Sequence, residues 1–229
     1  MPAGARRSPS DKLRPVNKAY EDAGAEYLRA YYDSGVWKRQ HYRGVRILKA
    51  PTDLWNYQEI FAERRIDWVV ETGTRHGGSA LYFADLLELS GARGKVLSVD
   101  IDHADLQLKP DARIELILAD SSKSDTAQRV ARSLPADRGA LFMILDSDHR
   151  AEHVARELDV LTPLLRPGDY LVVEDTCVNG HPVRPEFGPG PMEALVAFLA
   201  RHPGEFTRDA AREAKFGFTF APAGFLIRN

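Results

Sequence analysis

The chain has one cysteine, Cys177, in 229 residues. An internal disulfide is therefore excluded, and a cytoplasmic location is the simplest expectation. No apolar run approaches the roughly 18 residues of a membrane span. The N-terminus is basic, with Arg6, Arg7, Lys12 and Arg14, but no apolar region follows, so it does not read as a secretory signal. Charge of neither sign is in excess, because 31 Lys and Arg face 33 Asp and Glu for a net −2. That balance argues against a nucleic-acid partner, whose footprint is a basic excess. Internal repeats and low-complexity tracts are missing too. So are two phosphate-binding signatures. In the stretch Gly73-Thr74-Arg75, an arginine stands where a dinucleotide fingerprint needs its second glycine, and no Gly-Lys-Ser/Thr follows.

What the chain does have is an ordinary globular apolar share, 44%, enough for one sizeable α/β domain with additions. Its organising stretch runs from Val69 to Leu81. Trp68, Val69 and Val70 read as a short buried strand closed by Glu71. Gly73, Gly77 and Gly78 form a tight loop, and Ser79 starts a helix carrying Leu81, Phe83, Leu86 and Leu87. Such a corner lets backbone approach a ligand and points the first helical N–H groups at it. With an acid at the strand end and no phosphate signature, it suits S-adenosylmethionine. Glu71 would meet the ammonium group, and Gly73, Thr74, Gly77, Gly78 and Ser79 would pass the carboxylate. A tight turn without a ligand is the competing reading.

In chain order, residues 1–18 have the composition of a mobile tail. A helix is expected from Tyr20 to Asp33, ended by Ser34-Gly35. The mixed run Trp37 to Gly44 suits a substrate lid or, more commonly, an amphipathic surface. Pro51-Thr52-Asp53 sets up a helix with Leu54, Tyr57, Ile60 and Phe61 at helical spacing. Further strands are expected at 95–100, 113–118, 140–145 and 169–173, with a clear helix from His149 to Leu165. Pro191 to Ala200 is a last helix, and 216–220 with 224–228 a final hairpin. Apolar strands separated by helices predict a mostly parallel sheet covered on both faces.

Ligands of such sheets sit beyond the carboxyl ends of the strands. Each expected parallel strand delivers acid there: Glu71, Asp100 with Asp102, Asp120, Asp146 with Asp148, and Glu174 with Asp175. Asp is also a common turn and cap residue. Asp100 is placed to hold ribose hydroxyls, and Asp120 with Ser121 either meets the adenine edge or caps a helix. Asp146, Glu174 and Asp175 are expected to converge with no Lys or Arg nearby. A hard divalent cation, Mg²⁺, would relieve their repulsion and leave positions open for substrate hydroxyls. Asp148 is the substitute for Asp146. His149 is the candidate general base, although a surface histidine at a helix start is the commoner case. His76 lies in the loop, and His181 could flank the substrate.

Taken together, Glu71-Thr72-Gly73-Thr74-Arg75-His76-Gly77-Gly78-Ser79, Ser98-Val99-Asp100-Ile101, Leu145-Asp146-Ser147-Asp148-His149 and Val173-Glu174-Asp175-Thr176 resemble the cephalosporin hydroxylase family. Phe187-Gly188-Pro189-Gly190-Pro191 and Gly224-Phe225-Leu226 resemble it as well. The stretch is also similar to macrolide sugar O-methyltransferase catalytic domains. The resemblance covers residues 45–229 and leaves 1–44 as a tail and N-terminal helical extension shaping the acceptor pocket. It implies a Rossmann-like class I methyltransferase fold with a seven-stranded, mostly parallel sheet and helices on both faces. It further implies S-adenosylmethionine bound in part by Asp146, Mg²⁺ on Asp146, Glu174 and Asp175, catalysis by His149 and Asp146, a homo-oligomer, and tailoring of specialised metabolites such as antibiotics.

The expected activity is therefore Mg²⁺-dependent O-methylation of a small hydroxylated acceptor. A rival reading makes the chain a non-catalytic S-adenosylmethionine-binding partner in a tailoring complex, against which the intact acid cluster speaks. An iron hydroxylase would want two histidines beside one carboxylate, and the cluster lacks the second.

Overall fold

The computed structural model describes residues 18–229, so most of the expected tail lies outside the described residues. Helix α1 (Lys18–Ser34) leads through a 3₁₀ turn at Val36–Arg39 into a small hairpin, β1 (His41–Tyr42) and β2 (Val45–Arg46). Alternation then sets in: α2 (Pro51–Arg64), β3 (Ile66–Thr72), α3 (Gly78–Leu89), β4 (Val96–Asp100), β5 (Ile114–Leu118), α4 (Ser124–Ser133), β6 (Ala140–Leu145), α5 (Ala151–Leu161) and β7 (Tyr170–Val173). The chain closes with α6 (Pro191–Arg201), β8 (Phe206–Arg208), α7 (Ala210–Ala214) and β9 (Phe225–Arg228). No helix among the described residues is long and apolar enough to cross a membrane.

Seven strands form one sheet in the order β5-β4-β3-β6-β7-β9-β8. The first five are parallel, and β9 runs antiparallel to both β7 and β8. Because side chains alternate along a strand, the sheet buries two different faces. Val70, Leu97, Met143 and Leu171 pack with Val130, Leu158 and Leu195 of α4, α5 and α6. Val69, Phe142, Ile144 and Val172 pack with Tyr57, Phe61, Ala80 and Phe83 of α2 and α3. The expected doubly covered, mostly parallel sheet is what forms. Its order reverses at β3, where β4 leaves to one side and β6 lies on the other. That reversal opens a crevice at the carboxyl ends of the strands.

Two boundaries depart from expectation. The strand at 224–228 is present as β9, but its hairpin partner is β8, and residues 216–220 form no strand. Their apolar side chains serve a different surface. The Phe218 ring lies 5.1 Å from Tyr27 and that of Phe220 5.6 Å from Tyr32, so they seat α1 rather than a sheet face. The Phe220 N–H, which a strand would use in its ladder, donates instead to Asp53. Helix α5 starts at Ala151, two residues after His149, because the Asp148 carboxylate accepts from the Arg150 N–H and holds the preceding residues in a turn.

Candidate active site

The crevice is a cavity of about 930 Å³ lined by ends of β3, β4, β6 and β7 and roofed by residues from the N-terminal extension. At β3 the chain turns sharply. Gly73 and Gly77 both take left-handed φ angles, +86° and +85°, a region costly for residues with a Cβ. Gly73, Thr74, Gly78 and Ser79 come to the cavity wall with the start of α3. Glu71 does not. It is fully buried behind the loop, accepting from the Ser98 hydroxyl at 2.6 Å, and Ser98 also bonds Thr74 at 2.7 Å. Burial pushes its pKa up to about 7, with Ser79 and Ser98 pulling the other way. Glu71 thus braces the loop from beneath and does not line the cavity. Gly77 is likewise absent from the wall, its Cα backed by the side chain of Leu108.

Asp100 caps β4 on the cavity wall. It accepts from the Arg75 N–H at 2.8 Å, which ties the glycine loop to the neighbouring strand. Ile101 beside it is 72% exposed and also lines the cavity. A carboxylate next to an unsatisfied aliphatic face suits a nucleoside, with hydroxyls for one and a base for the other. Asp120 and Ser121 lie further along. The Asp120 carboxylate is engaged by the Ser122 N–H and hydroxyl at 2.9 and 2.7 Å, which lower its pKa. The expected helix cap is not what forms: α4 starts behind Lys123 without a side-chain cap, and Asp120 instead closes a turn through Ser122. Ser121 points to a group with Ser147 and His153, whose Nε2 lies 3.3 and 3.1 Å from the two hydroxyls.

The acids of β6 and β7 meet at the other end. Ligand atoms of Asp146, His149 and Asp175 all lie within 4.8 Å of one another, and all three residues line the cavity. His149 Nε2 stands 3.2 Å from Asp175 Oδ2. Burial opposes charge on this imidazole, yet Asp175 and Asp146 outweigh it and raise its pKa. Burial raises Asp146 as well. Lys49 and His149 pull it back, and Asp175 adds to the rise. Two carboxylates on an open wall fit a divalent cation through their oxygens, with the imidazole beside them. Asp148 is no substitute for Asp146, since Arg150 grips its carboxylate and holds its pKa at about 2.

Glu174 is placed differently from the expected triad. It is 2% exposed and off the cavity wall. Its Oε1 accepts a short hydrogen bond from the Tyr57 hydroxyl and lies 3.3 Å from Lys49 Nζ. Lys49 also forms a short bond to Asp146. A cation therefore sits among these acids within the chain itself, which corrects the expectation that no Lys or Arg is near. Sequence separation hid it, because Lys49 precedes α2 by two residues and lies far from β6 in the chain. One signal was legible: a single lysine in the apolar run Ile47-Leu48-Lys49-Ala50. Tyr57 and Asp53, expected only as helix residues, are both fully buried beside this cluster. Burial and then Glu174 push Asp53 up to about 8. Trp37 and Lys38, given as more commonly surface, line the cavity with Tyr32, Arg184 and Phe187. His181 is held by Glu193 at 2.9 Å away from the crevice.

The profile described as Rhamnosyl O-methyltransferase/CmcI matches residues 34–229. The chain belongs to this family. It is 47% identical over 209 residues to a Rhamnosyl O-methyltransferase of Mycobacterium tuberculosis (strain ATCC 25618 / H37Rv), covering 89% of this chain and 84% of that one. It is 48% identical over 219 residues to the Rhamnosyl O-methyltransferase of Mycobacterium leprae (strain TN), covering 94% and 93%. The fold is shared with the solved structure described as cmcI-D160 Mg-SAM, at TM-score 0.63 and 22% identity, covering 100% of this chain and 88% of that one. This member of the family is an O-methyltransferase, and the non-catalytic reading is not favoured.

Proposed function

We propose that the chain is a Mg²⁺-dependent, S-adenosylmethionine-dependent O-methyltransferase whose acceptor is a hydroxyl of a small metabolite or its sugar, a rhamnosyl group first among the candidates. One observation carries the reading. The cluster of Asp146, His149 and Asp175 opens onto the same cavity as the glycine loop and Asp100. The rhamnosyl preference is taken from the names of relatives nearly half identical to it.

When bound, S-adenosylmethionine supplies an electrophilic methyl group and Mg²⁺ supplies positive charge beside the acceptor oxygen. The rest is the work of this chain. Asp100 accepts from ribose hydroxyls, and the loop Gly73–Ser79 presents backbone to the methionyl end. Asp146 and Asp175 provide the anionic oxygens that hold the cation. His149 Nε2 takes the acceptor proton, and Asp175 at 3.2 Å stabilises the imidazolium that results. Trp37, Tyr32 and Phe187 give the acceptor end aromatic faces, and Lys38 and Arg184 give it hydrogen-bond donors. Such a mixture suits a sugar ring. On this reading the described part of the extension, residues 18–44, shapes the acceptor end of the cavity. Most of the acceleration comes from positioning and electrostatics.

The test is calorimetric titration with S-adenosylmethionine with and without chelator, followed by methyl transfer to a rhamnosyl acceptor. Micromolar binding with chelator-sensitive transfer supports the reading. Absence of binding in both buffers sinks it.

A further inference from the structure

Lys49 has no part in the chemistry above, yet it occupies the centre of the acid cluster. Its side chain is 2% exposed, a rare state for a lysine and one that requires paired charge. The backbone around it is fixed, with its carbonyl accepting from Gln40 Nε2 at 2.8 Å. The ammonium bridges Asp146, through a short bond, and Glu174 at 3.3 Å. Glu174 is steadied from the other side by the Tyr57 hydroxyl. Asp146 is thus shared. It faces Lys49 on one side and belongs, on the other, to the group it forms with His149 and Asp175.

We propose that Lys49 is a built-in counter-ion that competes with the divalent cation for Asp146 and so sets the metal affinity of the site. The inference rests on the Mg²⁺ part of the proposed function. A fixed positive charge beside a carboxylate that must also serve a dication repels that dication at close range in a poorly screened environment. The same ammonium bridges Asp146 and Glu174, so the carboxylates stay in place whether or not the cation is bound. The predicted consequence is a readily exchanged cation rather than one held permanently.

Mn²⁺ binding to the full chain, followed by electron paramagnetic resonance of the free ion, tests this without cofactor, acceptor or turnover. Lys49→Met keeps the length and apolar stem, and Lys49→Gln keeps a hydrogen-bond donor. Both are expected to bind Mn²⁺ at least tenfold more tightly than the wild type. An unchanged or weaker affinity in either folded variant, against a wild type that binds Mn²⁺, overturns the counter-ion role and leaves the proposed function standing. A wild type silent to Mn²⁺ beside a Lys49→Met variant that binds supports the counter-ion role while counting against Mg²⁺ in the native reaction. Binding by neither overturns both. Should both variants unfold, ¹⁵N resonances of the wild-type Lys49 ammonium replace them. A shift that saturates with added Mg²⁺ supports competition, and no shift overturns it.

Discussion

A Cβ placed on Gly73 would stand 1.9 Å from the backbone oxygen of Asp146. The glycine loop after β3 and the acid-bearing loop after β6 are therefore in direct backbone contact, and the Asp146 N–H also donates to the Thr72 carbonyl at 3.2 Å. Cofactor loop and metal ligand are positioned by one another. Gly73→Ala should strain both, through the clash and through a φ of +86°. We expect a loss of about 1–3 kcal/mol in denaturant unfolding from the backbone term alone. S-adenosylmethionine affinity and Mn²⁺ affinity should fall together. A variant that loses one and keeps the other would show that the two loops are independent.

His149→Ala removes the proposed base while leaving both metal carboxylates. Turnover should fall by roughly 10²- to 10⁴-fold, the usual contribution of general base catalysis, with S-adenosylmethionine affinity unchanged in calorimetry. The base acts only when neutral, and its pKa is raised above 6.5 in the free chain by Asp175 and Asp146. The wild-type rate should therefore climb with pH as this imidazole loses its proton. The climb should be missing from the residual rate of the variant.

His153 gives a pH effect on stability instead. Its pKa is raised above 6.5, first by its pairing with the Glu157 carboxylate at 3.6 Å and against the pull of burial. A raised folded-state value means the protonated imidazole stabilises the fold. That stabilisation is complete below 6.5 and is lost as pH rises through the folded-state pKa. Glu157→Gln should flatten this fall in stability, measured as the unfolding midpoint at intervals from pH 5.5 to pH 9. A Glu157→Gln profile parallel to wild type would refute the pairing.

Far from the site, Arg138 and Asp169 form a buried bidentate pair at 3.2 and 2.6 Å, with side chains 1% and 4% exposed. Asp169 also accepts from the N–H groups of Leu141 and Arg166, which links the entries of β6 and β7. Arg138→Met strands that carboxylate and should cost about 3–5 kcal/mol. For a chain of this size the melting temperature should drop by about 6–20 °C. Cofactor affinity measured well below the melt should be unaffected.

The sequence by itself determined the sheet, its core strands and the side of it that carries chemistry. Runs such as Leu141 to Leu145 are apolar at every position, which only a strand covered on both faces can bury. Each such strand runs into an acid, so Glu71, Asp100, Asp120, Asp146 and Glu174 were legible as a set from local pattern alone. Periodicity and turn chemistry are short-range properties, and they suffice for elements and their ends. Tertiary structure decided what short range does not contain. Glu71 lies beneath the loop and off the cavity wall, where the Ser98 hydroxyl on the adjacent strand holds it. Phe218 and Phe220 serve α1 rather than the sheet, and both options present the same apolar pattern in the chain. Above all, only the fold brings Lys49 and Tyr57 to Glu174. Charge compensation depends on distance in space, and a lysine before α2 reaches an acid after β7 only once the parallel sheet has set their elements side by side.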